Sequence, residues 1–265
     1  MIKDVQNQED LRNIPIQKVG VKDVEFPLKI ERKSEDNKSK SETVYAKAKM
    51  SVSLPSRYKG THMSRFIEVL NQYRKESLLS CDIDKVLYDM KKKLNAKSAY
   101  LKFSFKYFIK KQAPVSKLES FMCYDCAFEG EVKEDEEYRF YLIVSVPVTT
   151  LCPCSKEISK YGAHNQRAVV KVKISYNNDD HIWIEDLIDA IEGCASSRIY
   201  PLLKREDEKF VTEHAYENPK FVEDILRDVV AKLNKNKKIT FYEVEAEAFE
   251  SIHNHNAWAY QKCYK

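Results

Sequence analysis

The sequence predicts an α+β protein built from two tandem strand-strand-helix-helix-strand-strand modules with antiparallel sheets. Three observations lead there: long stretches in which apolar and polar residues alternate, helical stripes between those stretches, and an order of elements that repeats. From Val44 to Leu54 every even position is apolar (Val44, Ala46, Ala48, Met50, Val52, Leu54), while the odd positions are mostly Lys and Ser. A period of two with one polar face describes a half-buried strand. The same alternation runs through Leu101-Phe103-Phe105-Tyr107-Ile109, Tyr138-Phe140-Leu142-Val144-Val146-Val148 and Ala168-Val170-Val172-Ile174-Tyr176. Tyr242-Val244-Ala246-Ala248 adds another, with Glu243, Glu245 and Glu247 on its wet face.

Between these strands the spacing changes to that of a helix. Ile83, Val86, Leu87, Met90 and Leu94 form one stripe, and Ile184, Leu187, Ile188 and Ile191 form another. A further helix is expected to open with Asn218 as N-cap and Pro219 at its first position, burying Phe221, Val222, Ile225, Leu226, Val229 and Leu233. The first set of elements spans about residues 22 to 132 and the second about 137 to 262. This gives a first module over 1–134, with an N-terminal extension, and a second over 135–265. The polar tract from Arg32 to Glu42 reads as a long hairpin tip. Sheets of this kind expose edges, which closure into an oligomeric barrel would cover.

Composition narrows the function. The 265 residues carry 45 Lys+Arg against 41 Asp+Glu, a net charge of +4. Such a mixed surface lacks the clustered basic footprint of a nucleic-acid binder, yet leaves room for a basic pocket around a phosphorylated small molecule. No apolar run approaches the ~20 residues of a membrane span. The charged start Met1-Ile-Lys-Asp4 has no signal-peptide core, and seven Cys without such a signal read as reduced thiols. A cytoplasmic protein is expected.

Chemistry concentrates in short polar clusters. His164 lies in Tyr161-Gly-Ala-His-Asn-Gln-Arg167, shortly after Cys152-Pro-Cys154, and His253 and His255 lie in Glu250-Ser-Ile-His-Asn-His255. Thiolate, imidazole and carboxylate together suit a borderline divalent metal such as zinc. Residues two apart, like His253 and His255, share one face of an extended segment. The pair Cys123 and Cys126 has no second half-site and reads as two buried thiols, as do Cys81, Cys194 and Cys263. Lys59-Gly-Thr-His-Met-Ser-Arg65, ahead of a helix, is either an anion site or a solvated cap. Lys204 and Arg205 are either phosphate contacts or an ordinary surface pair. By spacing alone, Glu223 is a first-turn residue complementing a helix dipole.

Taken together, several segments resemble the prokaryotic GTP cyclohydrolase IB family over nearly the whole chain. They are Asp4-Val-Gln6, Asn13-Ile-Pro-Ile16, Lys59 through Phe66, Leu151-Cys-Pro-Cys-Ser-Lys-Glu-Ile-Ser159, Tyr161 through Arg167, Lys209 onward into Tyr216 through Asp224, and Phe249 through His255. The resemblance implies a tunnelling fold with two such modules per chain, and a homotetramer with sites at subunit interfaces. It further implies a divalent metal (zinc, manganese or iron) and GTP as substrate, with no nucleic-acid or membrane partner. The implied reaction takes GTP and water to 7,8-dihydroneopterin triphosphate and formate, the first step of folate-type pterin synthesis and one also used for queuosine. By position, the family's metal-binding and catalytic cysteine falls on Cys154, with Cys152 its neighbour, and its histidine on His164. The acidic residue before Lys209 falls on Glu208, the purine-anchoring glutamate on Glu223, and the last cluster on Glu250, His253 and His255.

The implied chemistry is physically coherent. Attack at C8 of guanine breaks aromaticity and needs a strong nucleophile, which a metal ion generates by lowering the pKa of water toward ~7. Cys154, His164 and Glu208 are then expected to hold the metal, and Glu250, His253 and His255 to transfer protons to N7 and N9. Glu223 would clamp the guanine edge, with Lys59, Arg65 and Lys204 on the triphosphate. Two other readings share parts of this pattern. One is another tunnelling-fold enzyme acting on a pterin or deazapurine, such as a nitrile reductase or pyruvoyl-pterin synthase. The other is a purine- and metal-binding protein without turnover.

Overall fold

The computed structural model describes residues 6, 8–33, 39–74, 82–135, 137–177 and 180–265. In chain order the elements are β1 (Ile16–Lys33), β2 (Ser39–Leu54), α1 (Met63–Gln72), α2 (Ile83–Leu94), β3 (Ala99–Gln112), β4 (Glu119–Val132) and β5 (Tyr138–Leu151). There follow α3 (Pro153–Ile158), β6 (Asn165–Tyr176), α4 (Ile184–Glu192), β7 (Ser197–Arg198), α5 (Arg205–Glu217), α6 (Val222–Lys235), β8 (Ile239–Ala248) and β9 (Ala257–Tyr264). The chain divides into two compact units, Met1–Lys106 with Ala127–Leu142 and Tyr107–Cys126 with Ile143–Lys265. The second unit therefore includes the tip of the β3–β4 hairpin.

In the first unit the strand order is β1-β2-β3-β4. Phe26 lies opposite Ala46 and Ala46 opposite Phe105 in antiparallel register. The even-numbered face of β2 is buried from Val44 to Leu54, as its alternation predicts. Against it pack Phe66, Val69 and Leu70 of α1 and Ile83, Val86, Leu87 and Met90 of α2. Gly130 of β4 permits this approach: a Cβ there would stand 2.6 Å from the Ile83 side chain. Asn95, at φ 50°, ends α2 in the left-handed conformation that asparagine tolerates at a helix C-terminus. Residues 34–38, the centre of the expected hairpin tip, lie outside the described residues, as does Cys81.

In the second unit the order is β5-β6-β8-β9, with β7 pairing β5. Ala168, Val170 and Val172 face Ala248, Ala246 and Val244 across β6 and β8, and all six are buried. Helix α4 buries Ile184, Leu187, Ile188 and Ile191, while α6 buries Val222, Ile225, Val229 and Leu233. Two of the sequence expectations are corrected here. Asn218 does not cap α6, which has Phe221 at its N-cap; it terminates α5 instead, and its side-chain amide donates to the carbonyls of Ala195 (2.9 Å) and Ser196 (3.3 Å). Helix α6 begins at Val222, where the Asp224 carboxylate accepts the Phe221 N–H at 3.0 Å. Phe221 is accordingly exposed and Leu226 half-buried. The elements α3, β7 and α5 were not anticipated. Helix α5 buries only Asp207 and Ala215, so it has no apolar stripe to read.

Two buried carboxylates brace this unit. Glu192, at the end of α4 and fully buried, accepts from Tyr124 Oη (2.5 Å), Lys111 Nζ (2.5 Å) and Arg198 Nη1 (3.1 Å). Burial, with Glu192 alongside, pushes the Tyr124 phenol well above its ordinary range. Asp207, likewise buried, accepts from the backbone N–H of Val115 (2.8 Å), Ser116 (2.9 Å) and Lys204 (2.9 Å) and from Ser116 Oγ (2.6 Å). Desolvation opposes ionisation of Asp207, but these four donors outweigh it and hold the carboxyl well below the usual range.

A carboxyl depressed on folding contributes stability that is present above its unfolded value, about pH 4, and lost as the pH falls through its folded value. Asp207→Asn is therefore expected to lower the Tm at pH 7 by several degrees and to flatten the decline of Tm below about pH 4. Melting curves across this range check both effects, and an unchanged acid limb would contradict the role given to Asp207.

Candidate functional site

The site grows from the end of β5. Cys152 caps α3 with Pro153 at the first helical position, where a missing N–H costs nothing. Its Sγ accepts the Ser155 N–H at 3.4 Å. Two further bonds close the loop from 152 to 164: Cys152 N–H donates to the His164 carbonyl (3.1 Å), and His164 N–H donates to Ser155 Oγ (3.1 Å). Within that loop Gly162 takes φ 75° with open space around it, so glycine is needed there for its backbone and not for room. The Cys154 helix and His164 are thereby held to one another. Cys154 is exposed, and Cys152 and His164 are half-buried.

From His164 a chain of side chains leads across the sheet. Its Nδ1 lies 3.0 Å from Gln166 Oε1, and Gln166 Nε2 donates to Glu250 Oε1 at 3.1 Å. Strand register makes this contact. Ala168 pairs with Ala248 and Phe249 N–H donates to the Arg167 carbonyl (2.9 Å), which sets Glu250 across from Gln166. Gln166 was not singled out in the sequence, although its position two residues after His164 at the start of a strand carries the signal.

His253 and His255 lie in the exposed loop between β8 and β9, their rings stacked at 5.0 Å and 15°. Their segment is bent and not a strand. Among the described residues no hydrogen bond or ring contact joins either of them to Cys154 or His164. Lys220 N–H donates to the Leu151 carbonyl (3.0 Å), bringing the start of α6 to the end of β5. Lys156 of α3 donates to the Tyr216 carbonyl (2.5 Å) and sits 4.3 Å from the Tyr216 ring, tying α3 to the end of α5. Glu223, in the first turn of α6, is exposed on this assembly.

Glu208 and Lys204 are exposed at the start of α5, with Glu208 N–H on the Lys204 carbonyl at 2.9 Å. Lys59 and Arg65 belong to the first unit: Lys59 is exposed, and half-buried Arg65 donates to the Lys93 carbonyl at 3.2 Å. Cys126 is buried, its thiol pushed up by burial and by neighbouring Asp125, but Cys123 is exposed, against the expectation that both are buried. The residue types of Cys154 and His164, a thiol and an imidazole carried on one closed loop, suit a borderline divalent ion. Among the described residues, however, no three His, Cys, Asp or Glu side chains converge on one point, and Glu208 is not drawn to that pair. Among those residues, too, no helix is long and apolar enough to cross a membrane.

Comparison with known proteins gives a consistent picture. The family model for Type I GTP cyclohydrolase folE2 matches residues 2–259. The chain is 55% identical over 258 residues to GTP cyclohydrolase FolE2 of Geotalea uraniireducens (strain Rf4), covering 97% of this chain and 92% of that protein. With the GTP cyclohydrolase FolE2 of Thermosipho africanus (strain TCF52B) the identity is 49%, over 97% and 96% of the two chains. Among solved structures it is similar to uricase from Arthrobacter globiformis (TM-score 0.52, 7% identity, 94% and 93% covered). Urate oxidase from Bacillus sp. TB-90 is comparable (TM-score 0.51, 9% identity, 94% and 100% covered). At such low identity these two speak for the tunnelling fold alone.

The placement of the thiols makes a direct prediction. Brief alkylation of the native protein followed by peptide mass mapping is expected to label Cys154 and Cys123 ahead of Cys152, Cys126 and Cys194, because reactivity follows exposure and thiolate character. Equal rates at Cys152 and Cys154 would contradict the arrangement around α3.

Proposed function

The chain belongs to the Type I GTP cyclohydrolase folE2 family, and from that premise we propose how its own residues serve the reaction. It is a GTP cyclohydrolase of folate biosynthesis, converting GTP and water to 7,8-dihydroneopterin triphosphate and formate. The observation that most supports a site around Cys154 and His164 is the closed loop that pins them together, with Glu250 joined to His164 through Gln166.

In this reading Cys154, His164 and Glu208, once Glu208 is brought to the other two, would hold a divalent ion (zinc, manganese or iron), which would supply Lewis acidity to make water nucleophilic near neutral pH. Glu250, His253 and His255 move protons at guanine N7 and N9 as the C–N bonds to C8 break, and again as the ribose opens and recloses. His253 and His255 stand on an exposed loop that a bound nucleotide can reach. Glu223 accepts from guanine N1–H and the exocyclic amine, and Lys59, Arg65 and Lys204 neutralise the triphosphate. We further propose the two-module division at 134/135 and a homotetramer. An exposed terminal strand, β9, carrying Trp258, Tyr260 and Tyr264, supports assembly with further copies.

Incubation of metal-loaded protein with GTP, followed by oxidation, dephosphorylation and pterin fluorescence, tests the reaction. Cys154→Ser is expected to lose both metal and turnover while the circular dichroism spectrum is kept; full turnover with stoichiometric metal would remove Cys154 from the ligand set. Glu223→Gln leaves one partner of a charge-assisted pair unmatched against the guanine edge, which costs about 2 kcal/mol or more in kcat/KM. Its exposed position predicts an almost unchanged Tm. Were Glu223 only a helix-dipole residue, Tm would shift slightly and GTP kinetics would stay as they were.

A further inference from the structure

We propose that Gln166 is a positioning residue that sets the tautomer of His164, holding the proton on Nδ1 and presenting the Nε2 lone pair to the reaction centre. The inference rests on the site reading above, in which His164 acts through a ring nitrogen, and follows by elimination from one hydrogen-bonded chain.

An amide side chain has one accepting and one donating end, and its orientation is decided by its partners. Here one partner is the Glu250 carboxylate, which only accepts when ionised. Gln166 must therefore turn Nε2 toward Glu250, where the separation is 3.1 Å. Its Oε1 is then directed at His164 Nδ1, 3.0 Å away. A carbonyl oxygen only accepts, so Nδ1 carries the proton and the neutral imidazole has its lone pair on Nε2. The carboxylate thus dictates the imidazole tautomer through an intervening amide. An outer partner on one ring nitrogen is the usual means of fixing a histidine whose other nitrogen binds a metal or takes a proton.

The backbone supports the same conclusion. The β6–β8 register brings Gln166 and Glu250 together, and Thr150 Oγ1 lies 3.5 Å from the Gln166 carbonyl, while the His164 backbone is bonded through both its N–H and its C=O. Both ends of the amide's path are therefore held by main chain, leaving the side-chain bonds to choose a tautomer and not a fold. Gln166 touches no reacting atom in this account.

The test is spectroscopic and uses the full-length protein without added metal. Two-bond ¹H–¹⁵N correlation spectra distinguish an Nδ1–H from an Nε2–H imidazole, and His164→Asn identifies the His164 signals. Wild type is expected to show Nδ1–H. Gln166→Leu is expected to lose that pattern while keeping its Tm close to wild type. With metal and GTP, Gln166→Leu should lower metal affinity or kcat about ten- to a hundredfold, the usual range for an outer partner of a metal-binding histidine, with KM for GTP little changed. An Nε2–H signal in wild type, or Nδ1–H persisting in Gln166→Leu, overturns the proposal. The underlying site reading fails separately, if His164→Asn turns over GTP at the wild-type rate, whatever tautomer Gln166 selects.

Discussion

A strand with one buried face cannot slip by a single residue without turning its whole apolar set toward water. That constraint positions the rest of this molecule. In β6 and β8 the buried partners Ala168 with Ala248, Val170 with Ala246 and Val172 with Val244 exclude a one-residue slip, and every contact at the end of the two strands inherits their register. Gln166 meets Glu250 because the register of those buried pairs continues past the end of the strands. The core of the second unit is thus an alignment device for polar groups that lie outside it.

Polar anchors complete what register begins. Helix α5 offers almost no apolar face, and the buried Asp207 carboxylate fastens its start to Val115 and Ser116 at the hairpin tip. Glu192 similarly gathers Lys111, Tyr124 and Arg198 at the end of α4. Removing either carboxylate would strand several buried donors, which is why such groups persist in spite of their desolvation. After α5 comes the stretch leading to α6, held by Asn218 on two carbonyls and by Lys220 on Leu151. The exposed Glu223 is presented at its end.

The candidate site was partly legible. Cys154, His164, Glu250, His253 and His255 stood out because their types cluster in short polar segments, and the structure joins three of those segments through the α3 loop and the β6–β8 register. Among the described residues Glu208 does not converge with Cys154 and His164, and no local pattern would have shown that, because convergence of ligands is a property of assembled elements. Gln166 was overlooked for the opposite reason: an uncharged amide attracts no notice until its two neighbours are known. Asn218 misled because an Asn-Pro pair is a strong local helix-start signal, whereas here it closes α5 and its amide donates to the carbonyls of Ala195 and Ser196.

What the sequence determined by itself is the set of elements whose two faces differ: the half-buried strands, the apolar stripes of α2, α4 and most of α6, and the repeated order that organises them. Period and burial are local properties, written into consecutive residues by the hydrophobic effect. Tertiary structure decided the rest. It set where α6 begins, made α5 a helix without a stripe, buried Cys126 but not Cys123, and linked His164 to Glu250 through Gln166. Each of these depends on which distant donor or acceptor arrives within about 3 Å of a polar group, and that information resides in no single segment of the chain.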